Sequence, residues 1–394
     1  MTSRYVRLSR GSLLAGLSLV CAALACRDST EESAPAPEQP SFAVSGPITW
    51  DTKSQMKQIP SSKGCDSYTP TWAPDGNLYT AVGDCRPKNV PVKVGMGFGR
   101  ISGSSAYSVT FAAVATGDPA DWDDAPDGAG AEAMGDGPAS EKASGMLYVD
   151  GRLYEWIRNI FPGGIGTRLK YTSDLSATNP QFTWVDWSVP EVGYASFAQF
   201  GQSFANGPAY VYAVIPMRSV TAGSVSSSAY DLVPGFGLIR GSRTDLTLQG
   251  NWEYFCGTSS VPAWCSSPAS ATPILNKSKK FNPRAGMSWN PGIGRFMLSL
   301  TFDPSPSTTT DDRRFNGGLM VLLSSHPWGP WQLVFSSSGA WPGGYNSSAC
   351  DTSKRWGAGE RADIPPKFMS ADGKTFYLFS SGGDCLSIAR GRLP

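Results

Sequence analysis

Two aspartates, each beside a cysteine, stand at opposite ends of one short stretch of this sequence. The stretch CDSYTPTWAPDGNLYTAVGDC runs from Cys65 to Cys85 and places Asp66 and Asp84 just inside the cysteines. An Asp-Gly pair at its middle is a strong hairpin-turn signal, because both residues tolerate positive φ. Folded at that turn, Asp66 and Asp84 become cross-strand neighbours, with Cα atoms about 4.5–5.5 Å apart or slightly more on a diagonal.

Two carboxylates this close cannot both ionise freely, so the pKa of one should rise. Glycoside hydrolysis uses such a pair: one carboxyl group protonates the leaving oxygen, and the other acts as nucleophile or activates water. Two alternatives remain open, namely aspartates that only cap strand ends and a pair that binds calcium. Asp66 and Asp84 are the catalytic candidates.

Hairpins of the same kind recur along the chain. They lie at 71–84, 146–159, 203–216, 288–302 and 367–384, and four of the five contain Asp-Gly or Asn-Gly. Third strands follow, including the GFGxIxG copies at 97–103 and 235–241, which we interpret as strands because no helix pattern follows them as in a phosphate loop. Four antiparallel strands repeated five times predict a five-bladed β-propeller, and we expect the segment 43–59 to complete the last blade and close the ring.

The hairpin turns provide a common reference for the remaining polar residues. The first strand of each blade lines the channel, so equivalent strand starts lie around one rim. Counting nine residues back from the Asp-Gly turns reaches Asp66, Glu141 and Asp363. On the return strands, Asn159 is the counterpart of Asp84 and follows Arg158. We expect five residues of this rim to position sugar hydroxyls or tune the pKa of the pair: Glu141, Arg158, Asn159, Gln199 and Asp363.

Composition agrees with an all-β class. The 394 residues are 40% hydrophobic and only 16% charged, and they include 44 Gly, 31 Pro and 13 Trp, which favours strands and tight turns over helices. Most of the tryptophans are expected in the core, whereas Trp72 and Trp156 could pack there or stack on a sugar.

The N-terminus resembles an export signal. Arg4, Arg7 and Arg10 precede the apolar run 13–25, which is short for a membrane span. We expect residues 1–25 to be a signal peptide, 26–44 a tether and 45–394 the propeller. The residues Ala23-Leu24-Ala25-Cys26 suit ordinary cleavage or, as we favour, lipidation of Cys26.

Charge argues against several partners. Without the three leader arginines the net charge changes from +1 to −2, so neither a nucleic acid nor an anionic membrane surface is indicated. A polysaccharide is the expected partner, and we expect the protein to act as a monomer that contacts a membrane only through the lipid anchor. No cofactor is predicted.

The remaining cysteines indicate disulfides rather than a metal site. Six follow Cys26, and sequence proximity favours three pairs: Cys65–Cys85, Cys256–Cys265 and Cys350–Cys385. No CxxC occurs, and the one histidine, His326, lies in SSHPWGPW, which indicates a structural turn rather than a catalytic triad. The acidic stretch 117–137 could bind calcium through Asp121, Asp123, Asp124 and Asp127, but it lacks the Glu and flanking helices of a calcium hand and is better interpreted as a solvated loop.

Several motifs together resemble one family. They are DSYTPTWAPDGNLYTAVGD followed by MGFGRISG, then KASGMLYVDGRLYEWIRN, ASFAQFGQSF, HPWGPWQLVF and IPPKFMSADGKTFYLFSSGG. They resemble a bacterial family of secreted five-bladed propellers, formerly a domain of unknown function, some of whose members are endo-D-arabinanases. More distantly the chain is similar to five-bladed furanosidases such as arabinanases and levansucrases.

The resemblance spans about 45–394 and implies an arabinanase-like glycoside hydrolase whose catalytic carboxylates match Asp66 and Asp84. The loop 117–139 and the Cys256–Cys265 segment look like local elaborations, so the resemblance does not extend to the substrate. A non-catalytic carbohydrate-binding or scaffolding propeller on the cell surface is the alternative.

Overall fold

The regular structure of the chain consists of β-strands joined by turns and short 3-10 segments, which confirms the all-β prediction. The computed structural model describes residues 47–52, 55–83, 97–114, 141–161, 165–175, 180–217, 232–302, 318–337, 350, 361–381 and 385–394. Within these ranges no helix is long and apolar enough to cross a membrane. The predicted signal peptide, the tether with Cys26 and the acidic stretch 117–137 lie outside the described residues.

The first two sheets are four-stranded antiparallel meanders whose strands follow one another in sequence. Two short strands precede them, β1 (Thr49–Trp50) and β2 (Lys57–Gln58). The first meander contains β3 (Asp66–Trp72), β4 (Leu78–Gly83), β5 (Gly97–Ser102) and β6 (Thr110–Val114). The second contains β7 (Lys142–Val149), β8 (Arg152–Phe161), β9 (Ile165–Thr172) and β10 (Thr183–Val189). The hairpins predicted at 71–84 and 146–159 are confirmed by the pairing of β3 with β4 and of β7 with β8.

A nine-stranded sheet follows and consists of two further meanders. One contains β11 (Ser196–Gln199), β12 (Tyr210–Met217), β13 (Val233–Ser242), β14 (Trp252–Phe255) and β15 (Trp264–Cys265). The other contains β16 (Leu275–Asn290), β17 (Arg295–Phe302), β18 (Gly318–Ser324) and β19 (Gln332–Ser337). They join where β11 runs parallel to β16 and where the first part of β16 pairs with β13. Both GFGxIxG copies lie in strands, β5 and β13, as predicted.

The last sheet combines the two ends of the described chain. Its sequential strands are β20 (Ala362–Asp363), β21 (Thr375–Ser381) and β22 (Leu386–Arg392). Both β1 and β2 pair antiparallel with β22, so the N-terminal segment adds to the last sheet as expected.

Apolar side chains between the sheets form the core, and the tryptophans are prominent in it. The side chain of Trp156 is fully buried, with its ring centroid 5.8 Å from that of Phe197 and 5.2 Å from that of Trp252. Trp72 is partly buried and packs against another apolar cluster. The structure therefore places both of these tryptophans in packing positions.

The first strands of the meanders approach each other so closely that small residues are required. A Cβ at Gly145 of β7 would lie 2.7 Å from the carbonyl oxygen of Ala195, just before β11. A Cβ at Gly286 of β16 would lie 2.5 Å from that of Ala362 in β20. These contacts bring the starts of the first strands together and set the spacing of the polar residues there.

Candidate active site

Asp66 is the first residue of β3 and lies opposite Gly83, the last residue of β4. It is only 8% exposed, and a Cβ on Gly83 would overlap its Oδ1, so the carboxylate lies directly over that glycine. The strand register shifts between Asp66 and Thr69, and Ser67 in this bulge has a φ of 56°. The bulge moves the pairing by one residue, so that Asp66 lies opposite Gly83 and not opposite the position that counting from the turn predicts. Asp84 itself lies outside the described residues.

The second hairpin brings its own polar residues to the corresponding end. Arg158 of β8 lies opposite Lys142 of β7 and is 2% exposed. Its neighbour Asn159 is also buried and has a φ of 63°, so this hairpin, like the first, contains a left-handed residue at the site end. Glu141 directly precedes β7 and is partly exposed.

Arg361 is a buried guanidinium that connects the first strands of four meanders, which belong to three sheets. It binds both carboxylate oxygens of Asp363. Its other hydrogen bonds go to Oγ of Ser196 at 2.8 Å and to the carbonyl oxygens of Ser144 at 3.2 Å and Ala285 at 3.0 Å. Burial raises the pKa of Asp363, and Arg361 only partly opposes this effect. Asp363 therefore orients Arg361 at the start of β20.

Tyr194 lies at the centre of these groups. Its ring faces the guanidinium of Arg158 at 4.9 Å and that of Arg284 at 5.3 Å. Burial favours the neutral phenol, but the positive charges of Arg284, Arg158 and Arg361 outweigh this effect and lower the pKa of Tyr194. We call this group of residues the central cluster, and we include Asp66 because it begins β3, a first strand that contacts β20: Asp66, Arg158, Tyr194, Arg284, Arg361 and Asp363.

Gln199 lies apart from the central cluster. It ends β11, three residues beyond Ser196, which corresponds to about 10 Å along an extended strand. Its Nε2 donates a hydrogen bond of 2.9 Å to the carbonyl oxygen of Met146 in β7. This hydrogen bond connects two first strands, β11 and β7.

Sequence reasoning missed Tyr194, Arg284, Arg361 and Lys142, although a signal for them exists. A large polar residue, an alanine and a small or acidic residue occur at or just before the start of β7, β11 and β20 and within β16: Lys142-Ala143-Ser144, Tyr194-Ala195-Ser196, Arg361-Ala362-Asp363 and Arg284-Ala285-Gly286. The four alanines are each at most 1% exposed, because they lie where neighbouring first strands meet. Aligning the hairpins at these alanines instead of at their turns would have found the cluster.

Some disulfide bonds of this chain lie close to Asp66, and one lies in the third meander. The predicted Cys256–Cys265 and Cys350–Cys385 bonds are confirmed. Cys65 is also disulfide-bonded, and Cys85, its expected partner, lies outside the described residues. Ser62 Oγ lies 3.8 Å from the sulfur of Cys385, so the turn before Asp66 packs against the Cys350–Cys385 bond.

The remaining sequence candidates are His326 and a metal site. The His326 ring stacks on Trp328 with centroids 5.1 Å apart, and its carbonyl oxygen accepts a turn hydrogen bond from Gly329, which confirms a structural turn. In the part of the chain that the structure describes, no three His, Cys, Asp or Glu side chains are arranged to hold a metal ion.

Comparisons with known proteins give only distant likenesses. No protein-family profile and no curated protein matches the sequence. Among solved structures, the GH43_1 enzyme from Xanthomonas citri with xylose superposes with a TM-score of 0.49 at 10% identity, covering 86% of this chain and 90% of that one. RS223-β-xylosidase gives 0.49 at 8%, covering 86% and 95%. An exo-β-1,3-galactanase from Phanerochaete chrysosporium gives 0.42 at 10%, covering 88% and 63%. Likenesses this weak identify neither a family nor an activity.

Proposed function

We propose that this protein is an exported glycoside hydrolase that cleaves a furanoside-containing, arabinan-like polysaccharide with Asp66 and Asp84 as its catalytic carboxyl groups. The observation that carries the proposal is the setting of Asp66. Its nearly buried carboxylate lies over Gly83, the residue before Asp84, in a bulge with a positive-φ serine. Such strained backbone clusters at active sites, where the surrounding structure holds it in place.

The proposed fold is a closed five-bladed propeller with the five meanders as blades. Contacts between consecutive first strands support a ring, since they run from β3 to β7, β11, β16 and β20 and from β20 back to β3. Lys367 also connects the last meander to the first, donating 2.6 Å hydrogen bonds to the carbonyl oxygens of Gly76 and Gly103. In this ring the central cluster lies at one channel mouth, where a polysaccharide chain can reach the carboxyl groups.

The mechanism requires different protonation states for the two aspartates. One carboxyl group protonates the glycosidic oxygen as its bond to the anomeric carbon breaks, while the other attacks that carbon or takes a proton from the attacking water. The mechanism therefore requires surroundings that favour the ionised form of one aspartate, and the negative charge of that group raises the pKa of the other. A carboxyl separation of about 5–5.5 Å gives retention, and about 6.5–9.5 Å gives inversion.

The disulfides support export, since such bonds persist in oxidising compartments. Anchoring through a lipidated Cys26 and action as a monomer complete the proposal. No cofactor is required by this mechanism.

The test is sugar release from arabinan, fructan and arabinogalactan by the purified protein. We expect Asp66→Asn and Asp84→Asn each to reduce release by about 100-fold or more. Asp186→Asn is the matched control, because Asp186 is exposed on β10, and it should retain full activity. Release that survives both substitutions would refute the catalytic pair. Tight glycan binding without release by the wild type would instead favour a carbohydrate-binding or scaffolding protein.

A further inference from the structure

Arg361 has a role that the two-carboxylate mechanism does not use. It is 1% exposed, and its guanidinium group carries five N–H donors, each of which has an acceptor in the protein. Two of the N–H groups bind the carboxylate of Asp363, and the other three bind Ser196 Oγ and the carbonyl oxygens of Ser144 and Ala285. We call these five acceptor atoms the oxygen cage. Because every donor is used within the cage, the side chain cannot bind a substrate without losing one of these hydrogen bonds.

The oxygen cage surrounds the guanidinium from several sides. Arg361 immediately precedes β20, which contacts the first strands β16 and β3. Ser144 and Ser196 lie instead on β7 and β11, which contact each other. In the proposed ring, β7 and β11 are on the opposite side of the channel from β20. The guanidinium therefore lies across the channel, between first strands that do not adjoin its own.

The cage also fixes where the other polar groups of the central cluster begin. Each acceptor outside β20 lies one or two residues after a large polar residue, namely Lys142, Tyr194 or Arg284. The three hydrogen bonds are 2.8–3.2 Å long, which is ordinary for N–H donors to oxygen. The planar guanidinium presents its donors in fixed directions, so it sets the spacing of these strands more strictly than a flexible ammonium group would.

We propose that Arg361 is a positioning residue whose guanidinium acts as a built-in cation: it fills the oxygen cage and forms the floor of the candidate active site without binding the substrate. The functional half of this inference rests on the proposed hydrolase activity. The structural half does not, because occupation of the cage is measurable without a substrate.

Free guanidinium ion tests the cage directly. Arg361→Ala removes the side-chain cation and leaves its acceptors around a space of the same shape, and an ion that binds only the folded state stabilises it. At about 20 mM, far below denaturing concentrations, guanidinium chloride should raise the thermal midpoint of Arg361→Ala by about 3 °C or more relative to sodium chloride. The rise should saturate with concentration, and the wild type should show none because its cage is full.

The same comparison applies if Arg361→Ala does not fold in sodium chloride. Guanidinium ion present during refolding from urea should then restore native near-UV circular dichroism, and sodium should not. Equal behaviour in the two salts, in whichever of these measurements applies, would overturn the proposal.

Arg243→Ala is the matched control. Arg243 also binds a carboxylate, that of Asp150, through two N–H groups and a carbonyl oxygen through a third. That pair is 26% and 48% exposed, so water competes for its acceptors and guanidinium ion should not shift the midpoint. Adding Asp363→Ala to Arg361→Ala removes the only charged acceptor of the cage and should abolish the rise. A rise of equal size in Arg243→Ala or in the double variant would contradict a specific cage.

Kinetics separate a floor from a substrate contact. On a polysaccharide that the wild type cleaves, Arg361→Ala should lower kcat about 10-fold or more and change KM less than about 2-fold. Guanidinium ion, but not sodium, should recover at least about a third of the lost kcat. A raised KM with unchanged kcat would show that Arg361 binds the substrate and would refute the positioning role. An inactive wild type would refute the hydrolase proposal alone, because the stability measurements still decide whether the cage is real.

Discussion

At the level of single residues, the central cluster shows two ways of holding a charge inside a β-protein. Arg361 donates hydrogen bonds to an acid, a hydroxyl and two backbone carbonyls, which lie on the first strands of four meanders. Asp66 instead lies over Gly83 at a strand end, so close that a Cβ on this glycine would overlap its Oδ1. The first arrangement depends on hydrogen bonds to several strands, whereas the second depends on the absence of a side chain at one position.

Gly83→Ala should displace the Asp66 carboxylate and reduce activity. The new Cβ would overlap Oδ1 of Asp66, and the carboxylate has to move because the strand backbone is held by its pairing. We expect a loss of about 10-fold or more in kcat/KM, with a change in unfolding free energy of about 1 kcal/mol or less. Gly250→Ala is the control, since a Cβ there meets nothing within 4 Å. Full activity in Gly83→Ala would argue against Asp66 as a catalytic group.

Arg361→Met should be strongly destabilising, because it leaves the Asp363 carboxylate buried without its partner. Breaking a buried pair costs about 3–5 kcal/mol, whereas an exposed pair contributes about 1 kcal/mol or less. Arg243→Met is the matched control, since the Arg243–Asp150 pair is 26% and 48% exposed. Urea unfolding measures both, and adding Asp363→Leu to Arg361→Met should recover part of the loss. Equal losses in the two single variants would contradict this account.

At the level of elements, the hairpins were predictable and the bulges within them were not. Asp-Gly turns at 75–76, 150–151 and 372–373 mark their positions, because few other residue pairs adopt the required backbone. The bulge after Asp66 inserts one residue without any distinctive sequence, so counting from the turn misplaced the pairing by one. Tyr194 and Arg284 could not be found by turn counting, since neither follows the nine-residue spacing.

The disulfide at Cys65 should position Asp66 more than it stabilises the sheet. Tyr68 Oη already pins this segment through hydrogen bonds to the carbonyl oxygens of Cys65 at 2.8 Å and Ser62 at 3.1 Å. We therefore expect a Cys65→Ser, Cys85→Ser double variant to lose activity about 10-fold while its near-UV circular dichroism stays native. The control is Cys256→Ser with Cys265→Ser, whose bond closes a separate loop of the third meander, and it should keep full activity. Loss of native dichroism together with activity would assign the bond a folding role instead.

At the level of the whole molecule, the pairing of the two ends of the described chain follows from counting strands. The last repeat has only three strands of its own, β20 to β22, so its sheet requires strands from elsewhere. The segment 43–59 was the available candidate, and β1 and β2 within it pair with β22. Sequence could not show the side-chain contact that reinforces this pairing. That contact is formed by Asp51, which is 5% exposed.

Asp51→Asn should lower the free energy of unfolding at neutral pH and should lower it much less in acid. Burial favours the protonated carboxyl group, but hydrogen bonds from Arg390, Tyr107 and Arg392 outweigh it and lower the pKa of Asp51. A carboxyl group with a lowered pKa stabilises the fold above its unfolded pKa of about 3.9, and this contribution is lost as the pH falls through the lower folded value. Because both guanidiniums are partly exposed, we expect Asp51→Asn to cost about 1–2 kcal/mol at pH 7.

Urea unfolding of wild type and Asp51→Asn from pH 7 down to pH 2.5 measures this contribution. The two stability curves should converge below pH 4, where protonated Asp51 resembles asparagine. Asp186→Asn, at an exposed position on β10, should follow the wild type throughout. A constant gap between wild type and Asp51→Asn at every pH would show that the carboxylate charge does not hold the two ends together. Convergence would instead place part of the acid sensitivity of the whole molecule at the junction of β1 and β22.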